Sequence, residues 1–106
     1  MKQEYKQPWI DALKSGKYKK GRNNLRRGDK FCCLGVLLDI NGYEWEIIGL
    51  RNVYCLNVPP HNSGLLTDEQ ALAFGLTPME VSTLAQLNDV ARKPFRSIAK
   101  WIKENL

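Results

Sequence analysis

The chain has 106 residues, 43% of them hydrophobic and 25% charged, with a formal net charge of +5 at pH 7. That length suits one domain, because two halves would each be too small for a good core. Its apolar and aromatic content excludes general disorder, and no run approaches the roughly 20 apolar residues of a membrane helix.

At the N-terminus, MKQEYKQPW has a lysine but no apolar segment of the kind a secretory signal needs, so the expected compartment is the cytoplasm. Pro8 suits a first helical turn, Trp9, Ile10, Ala12 and Leu13 supply an apolar stripe, and Gly16 is a stop. This predicts a short helix from about Pro8 to Ser15. Gly21, Asn23, Asn24 and Gly28 then punctuate a loop in which Leu25 is the only aliphatic anchor. LRRGDKF reads as a tight hairpin turning at Arg27-Gly28-Asp29.

The run from Cys32 to Ile40 is too apolar for its periodicity to decide. Leu34, Leu37 and Leu38 recur at helical spacing before Asn41-Gly42, which favours a buried helix over the alternative, a central strand. YEWEIIGLRNVYCLNV is rich in β-branched and aromatic residues and predicts strands at about 43–48 and 53–57, joined near Gly49 and Asn52. Pro59 and Pro60 close them, and residues 61–64 form a loop. Further on, Thr67 with Gln70 makes a capping box and Gly75 ends that helix. Thr77, Pro78 and Glu80 start a second helix, ending near Asn88. Pro94 opens a third, with Phe95, Ile98, Ala99 and Ile102 on one face. The expected fold class is α+β: a small single domain with a short antiparallel sheet and a helical C-terminal cluster.

Three cysteines, two of them adjacent, make a poor disulfide framework. Neighbouring side chains diverge on a helix or a strand, so Cys32 and Cys33 are expected as buried structural thiols rather than a chelate. His61 follows two prolines in a loop, with no nucleophile placed near it in sequence, and reads as a surface histidine. The acidic residues match no zinc or calcium spacing, and Asp68 and Glu69 sit where a helix N-terminus favours negative charge anyway. No catalytic residue, metal or cofactor is therefore expected, and the chain reads as a non-enzyme.

Charge is concentrated in one place. Residues 14–30 hold Lys14, Lys17, Lys19, Lys20, Arg22, Arg26, Arg27 and Lys30 against Asp29 alone, whereas residues 39–89 are acidic with Arg51 as their only base. Ser15-Gly16-Lys17 resembles a phosphate loop only superficially, since the Gly-x-x-x-x-Gly-Lys-Ser/Thr spacing and the preceding strand are missing. What remains is a basic, amide-rich loop whose arginine forks, tyrosine and glycines suit an anion. The candidate ligand-binding residues are Lys17, Tyr18, Lys20, Arg22, Asn23, Asn24, Arg26 and Arg27. Against this stands a solvated turn in which Tyr18 and Leu25 pin the loop to the core.

The pattern Trp9-x-x-Ala12-Leu13-x-Ser15-Gly16-x-Tyr18-x-x-Gly21, then Leu25, then Phe31-Cys32-Cys33-Leu34-Gly35-Val36-Leu37, resembles an uncharacterised family of small phage and prophage proteins. Leu84-Ala85-x-Leu87-Asn88-Asp89 and Phe95-x-x-Ile98-Ala99-x-x-Ile102 resemble that family's C-terminal end, with residues 43–64 as the variable part. Val90 to Pro94 departs from the short polar linker usual there. The resemblance carries no catalytic residues. It implies a phage-type accessory protein in the host cytoplasm, binding a host factor or an anionic signalling nucleotide to counter host defence. The alternative is a nucleic-acid-binding accessory protein that adds Lys93, Arg96 and Lys100 to the loop arginines. The partners to consider are thus an anionic small ligand, a host defence protein, nucleic acid and a second copy of the chain, with no membrane.

Overall fold

Six consecutive buried residues, Cys33 to Leu38, put helix α2 (Cys33–Ile40) at the centre of the molecule. The computed structural model describes residues 1–49 and 51–106. The run is a helix rather than the alternative strand, and Cys32 caps it by accepting from the Gly35 N–H at 3.4 Å. Gly35 is where the helix meets a second backbone. A Cβ there would lie 1.9 Å from the Leu25 carbonyl oxygen, so only glycine lets the two segments approach.

Helix α1 (Gln3–Lys14) packs on α2, and the buried Trp9 indole donates to the Cys33 carbonyl at 2.9 Å. The helix starts five residues before the expected Pro8, which lies inside it on the exposed side. There the missing proline N–H leaves unpaired the carbonyl of Glu4, itself an exposed residue. The extra turn is held by tertiary contacts: Lys2 N–H donates to the Phe74 carbonyl at 2.9 Å, and Tyr5 meets the Phe74 ring edge-on.

The sheet has the order β1-β3-β2-β5-β4, with β1 (Lys19–Lys20), β2 (Arg26–Arg27), β3 (Lys30–Phe31), β4 (Trp45–Ile48) and β5 (Val53–Leu56). β2 and β3 form the expected hairpin, with Gly28 at φ 60° as the first of its two loop residues. β4 and β5 pair antiparallel as expected, and β2 joins them by pairing with β5. The sheet is not wholly antiparallel, because β1 runs parallel to β3. The chain reverses from β1 to β2 and again from β2 into β3, which lies between them, so β1 and β3 point the same way.

Three helices complete the core. α3 (Asp68–Phe74) and α4 (Pro78–Asp89) each begin with a full capping box, on Thr67/Gln70 and Thr77/Glu80, and Gly75 ends α3 at φ 76°. α5 (Phe95–Asn105) buries Phe95, Ile98, Ala99 and Ile102 and packs along α1. The protein is α+β, with helices at both ends of the chain and one mixed sheet, which α2 meets at β3. No helix among the described residues is long and apolar enough to cross a membrane.

Candidate functional site

Two turns and a loop surround a cleft of about 640 Å³ on the sheet end of the molecule. The loop supplies Lys20, Gly21, Arg22 and Asn23. The β2–β3 turn supplies Arg27, Gly28, Asp29 and Lys30, and the β4–β5 turn supplies Arg51 and Asn52. The turns are joined through backbone: Gly28 N–H donates to the Asn52 carbonyl at 2.7 Å, and Arg27 Nε to the Arg51 carbonyl at 3.3 Å. Gly21 N–H donates to the Phe31 carbonyl at 2.8 Å, and a Cβ at Gly21 would press on Lys30 Cβ at 3.0 Å.

The loop is held from behind by the C-terminal end of α4. Asn88 is fully buried and accepts from Cys33 N–H at 3.1 Å while donating to the Gly21 carbonyl at 2.9 Å and Asp89 Oδ1 at 2.8 Å. Asp89 Oδ1 in turn accepts the Asn23 N–H at 3.0 Å, fixing Asn23 at a positive φ of 68°. Lys20 reaches the Asn88 carbonyl at 2.9 Å, where a cation suits the negative end of a helix. Burial lowers the Lys20 pKa, with Asp89 opposing that shift.

The electrostatics are one-sided. Asp29 is the one carboxylate on the lining, and it is neutralised by Lys19 at 2.8 Å, each partner shifting the other's pKa toward the ionised form. Among the described residues, the Arg22, Lys30 and Arg51 side chains have no ion-pair or hydrogen-bond partner. Guanidinium forks, two ammonium groups and Asn amides thus share one lining, and these are the donor types that suit an oxyanion.

Of the eight residues expected from sequence, the cleft gathers Lys20, Arg22, Asn23 and Arg27. The other four lie elsewhere. Tyr18 pins the loop: its hydroxyl donates to Asp39 Oδ2 at 2.6 Å and its ring meets Phe31 edge-on. Burial, with the Asp39 carboxylate, pushes the Tyr18 pKa up to about 12. The Arg26 guanidinium stacks over the Tyr54 ring at 4.0 Å and its Nε donates to the Gly28 carbonyl at 2.8 Å. Lys17 is exposed and Asn24 half-buried, both away from the lining. Leu25 is fully buried, as a pin should be.

The eight candidates left out Lys30, at the end of the basic stretch, and sequence reasoning missed Arg51 and Asn52. The signal available was an isolated arginine at the joint of two predicted strands, but only the β2–β5 pairing brings that joint to the loop. The cysteines are buried and unpaired. Burial raises the Cys32 pKa to about 11 and the Cys33 pKa well above its usual value, so neither is a ready thiolate nucleophile. A second basic groove of about 380 Å³ lies between α1 and α5, lined by Lys14, Arg96, Lys100 and Lys103 among others.

No curated protein and no solved structure matches the chain. The chain belongs to the family described as a domain of unknown function (DUF8296), whose model matches residues 1–54, the segment that carries every residue lining the basic cleft.

Proposed function

We propose that this protein is a non-catalytic binding protein that holds a phosphate-bearing small molecule, of nucleotide size, in the basic cleft. The carrying observation is the cleft itself: Arg22, Lys30 and Arg51 face it unpaired, together with Lys20 and Arg27, and its one acid is already neutralised. Its volume falls within the 300–1,000 Å³ usual for small-molecule sites. Gly21 and Gly28 leave room on the wall, but their N–H groups are already donated to the Phe31 and Asn52 carbonyls, so the donors of this reading are side chains. The biological setting in this reading comes from the resemblance to phage proteins: an accessory protein in the host cell that sequesters an anionic signalling nucleotide.

A second reading, nucleic-acid binding, is favoured by the groove that Lys14, Arg96, Lys100 and Lys103 line between α1 and α5. Salt separates the two. A surface making several phosphate contacts loses duplex affinity with a log–log slope near −0.9 per phosphate, whereas a pocket for one nucleotide releases fewer counterions. Calorimetric titration of nucleotides and of random duplex, at two salt concentrations, is the test. The pocket reading expects nucleotide binding that Arg22→Ala and Arg27→Ala abolish and Lys103→Ala leaves intact. Uniform weakening of duplex binding by all three variants supports the second reading. If wild-type protein binds no phosphate-bearing ligand at low salt, the first reading fails.

A further inference from the structure

Away from the basic cleft, β4 and β5 place Glu46 directly opposite Cys55. Directly opposed residues in an antiparallel pair share a face of the sheet, so both side chains emerge together. The Cys55 thiol lies 3.7 Å from Glu46 Oε1. After β5 the chain passes Pro59 and Pro60 and folds back, with Leu56 N–H donating to the Asn62 carbonyl at 3.1 Å. At the fold, His61 takes a positive φ of 59° and its N–H donates to the Val58 carbonyl at 2.8 Å. This delivers His61 Nδ1 to 3.5 Å from the same Glu46 oxygen and 3.1 Å from the Leu56 carbonyl.

One ligand atom from each of Glu46, Cys55 and His61 thus lies within 4.8 Å of the other two. We infer that Glu46, Cys55 and His61 form a zinc site, with its fourth position open to solvent.

The distances carry the argument. Zinc bonds of about 2.3 Å to sulfur and 2.0–2.2 Å to nitrogen or oxygen, at tetrahedral angles, separate ligand atoms by roughly 3.3–3.6 Å. The two separations to Glu46, 3.7 and 3.5 Å, are already within a few tenths of an ångström of that shell. The donor set is one thiolate, one imidazole and one carboxylate, which suits borderline zinc rather than calcium or magnesium. Cys55 is buried while Glu46 and His61 are exposed, so the metal would sit on the surface with its sulfur ligand held from below.

Binding would replace the Cys55–Glu46 and His61–Glu46 contacts by metal bonds and break the contact of His61 Nδ1 with the Leu56 carbonyl. The thiol, now directed at Glu46, gives its proton to solvent and becomes the sulfur ligand. His61 Nδ1 meets the Leu56 carbonyl as a donor, so to offer its lone pair to the metal the ring would have to turn from that carbonyl and carry its one proton on Nε2. Zinc would then clamp both strands and the 56–62 segment together. The same hairpin carries Arg51 and Asn52 to the basic cleft, so the clamp would steady that turn, although the site does not depend on the cleft having a ligand.

The order Glu46, Cys55, His61 matches no short zinc motif. The sequence therefore offered only a loop histidine, and strand register assembles the set.

The test uses untagged, metal-free full-length chain titrated with cobalt(II) and zinc. The expected result is one equivalent of cobalt bound in a four-coordinate site, with intense visible bands and a thiolate-to-metal charge-transfer band in the near ultraviolet. Zinc should displace the cobalt and raise the unfolding temperature. His61→Ala, at an exposed position, and Cys55→Ser should each weaken binding by more than about a hundredfold, beyond the 10–100-fold typical of outer-shell losses. His61→Ala alone decides the matter should Cys55→Ser fail to fold. Absence of saturable binding, a spectrum without the thiolate band, or wild-type affinity in His61→Ala would each overturn the site.

Discussion

Removing one buried amide should loosen the basic loop and the core together. Asn88 is 0% exposed and joins three elements: it accepts from Cys33 N–H at the start of α2, donates to the Gly21 carbonyl on the loop, and donates to Asp89. Asn88→Ala leaves the Cys33 N–H without its partner in a fully buried setting, and an unsatisfied buried group costs about 1–3 kcal/mol. The Gly21 carbonyl loses a partner as well, but Gly21 is only half-buried and water can replace part of that bond. Loss of the side-chain volume adds a small cavity term. The expected destabilisation is about 2–4 kcal/mol. Urea unfolding followed by tryptophan fluorescence measures it, read as a shift in midpoint at unchanged slope. Asp89→Ala breaks only the bonds at the half-buried Asp89 carboxylate, to Asn23 N–H and the Asn88 amide, and should cost about 1 kcal/mol. A change below about 0.5 kcal/mol in Asn88→Ala would refute the reasoning, since surface substitutions alone span that range.

Gly35→Ala places a methyl 1.9 Å from the Leu25 carbonyl oxygen, a clash that neither backbone can absorb locally. It should cost more than about 3 kcal/mol or prevent folding, and circular dichroism with soluble yield is the check. The Tyr18 pKa, raised to about 12 from its usual 10.0, makes a prediction with a definite sign. The folded state favours the protonated phenol, so its contribution is complete below pH 10.0 and is lost as pH rises through about 12. Stability of the wild type should therefore fall across that window more steeply than that of Tyr18→Phe. Parallel curves for the two proteins would count against a raised Tyr18 pKa, and so against burial of the phenol beside the Asp39 carboxylate.

The helix signals were legible because they are local. Thr67 with Gln70, and Thr77 with Pro78 and Glu80, cap helices with atoms three residues away, and the Phe95, Ile98, Ala99, Ile102 stripe repeats at helical spacing. The α1 start was not legible, because Lys2 and Tyr5 are held by Phe74, far away in sequence. The resemblance motif proved to be architecture: Trp9, Cys32, Gly35 and Asn88 each satisfy or admit a backbone group at the junction of α2 with its neighbours.

By itself the sequence determined that positive charge gathers in residues 14–30, since charge density needs no fold. Which cations face one cleft was decided by tertiary structure. Arg26 and Arg27 are neighbours on β2, and alternate strand residues point to opposite faces, so Arg26 lies over Tyr54 while Arg27 lines the cleft. Arg51 arrives from the β4–β5 turn only because β2 pairs with β5. Glu46, Cys55 and His61 meet for the same reason: strand register and a chain reversal set their distances, and neither is written in their spacing.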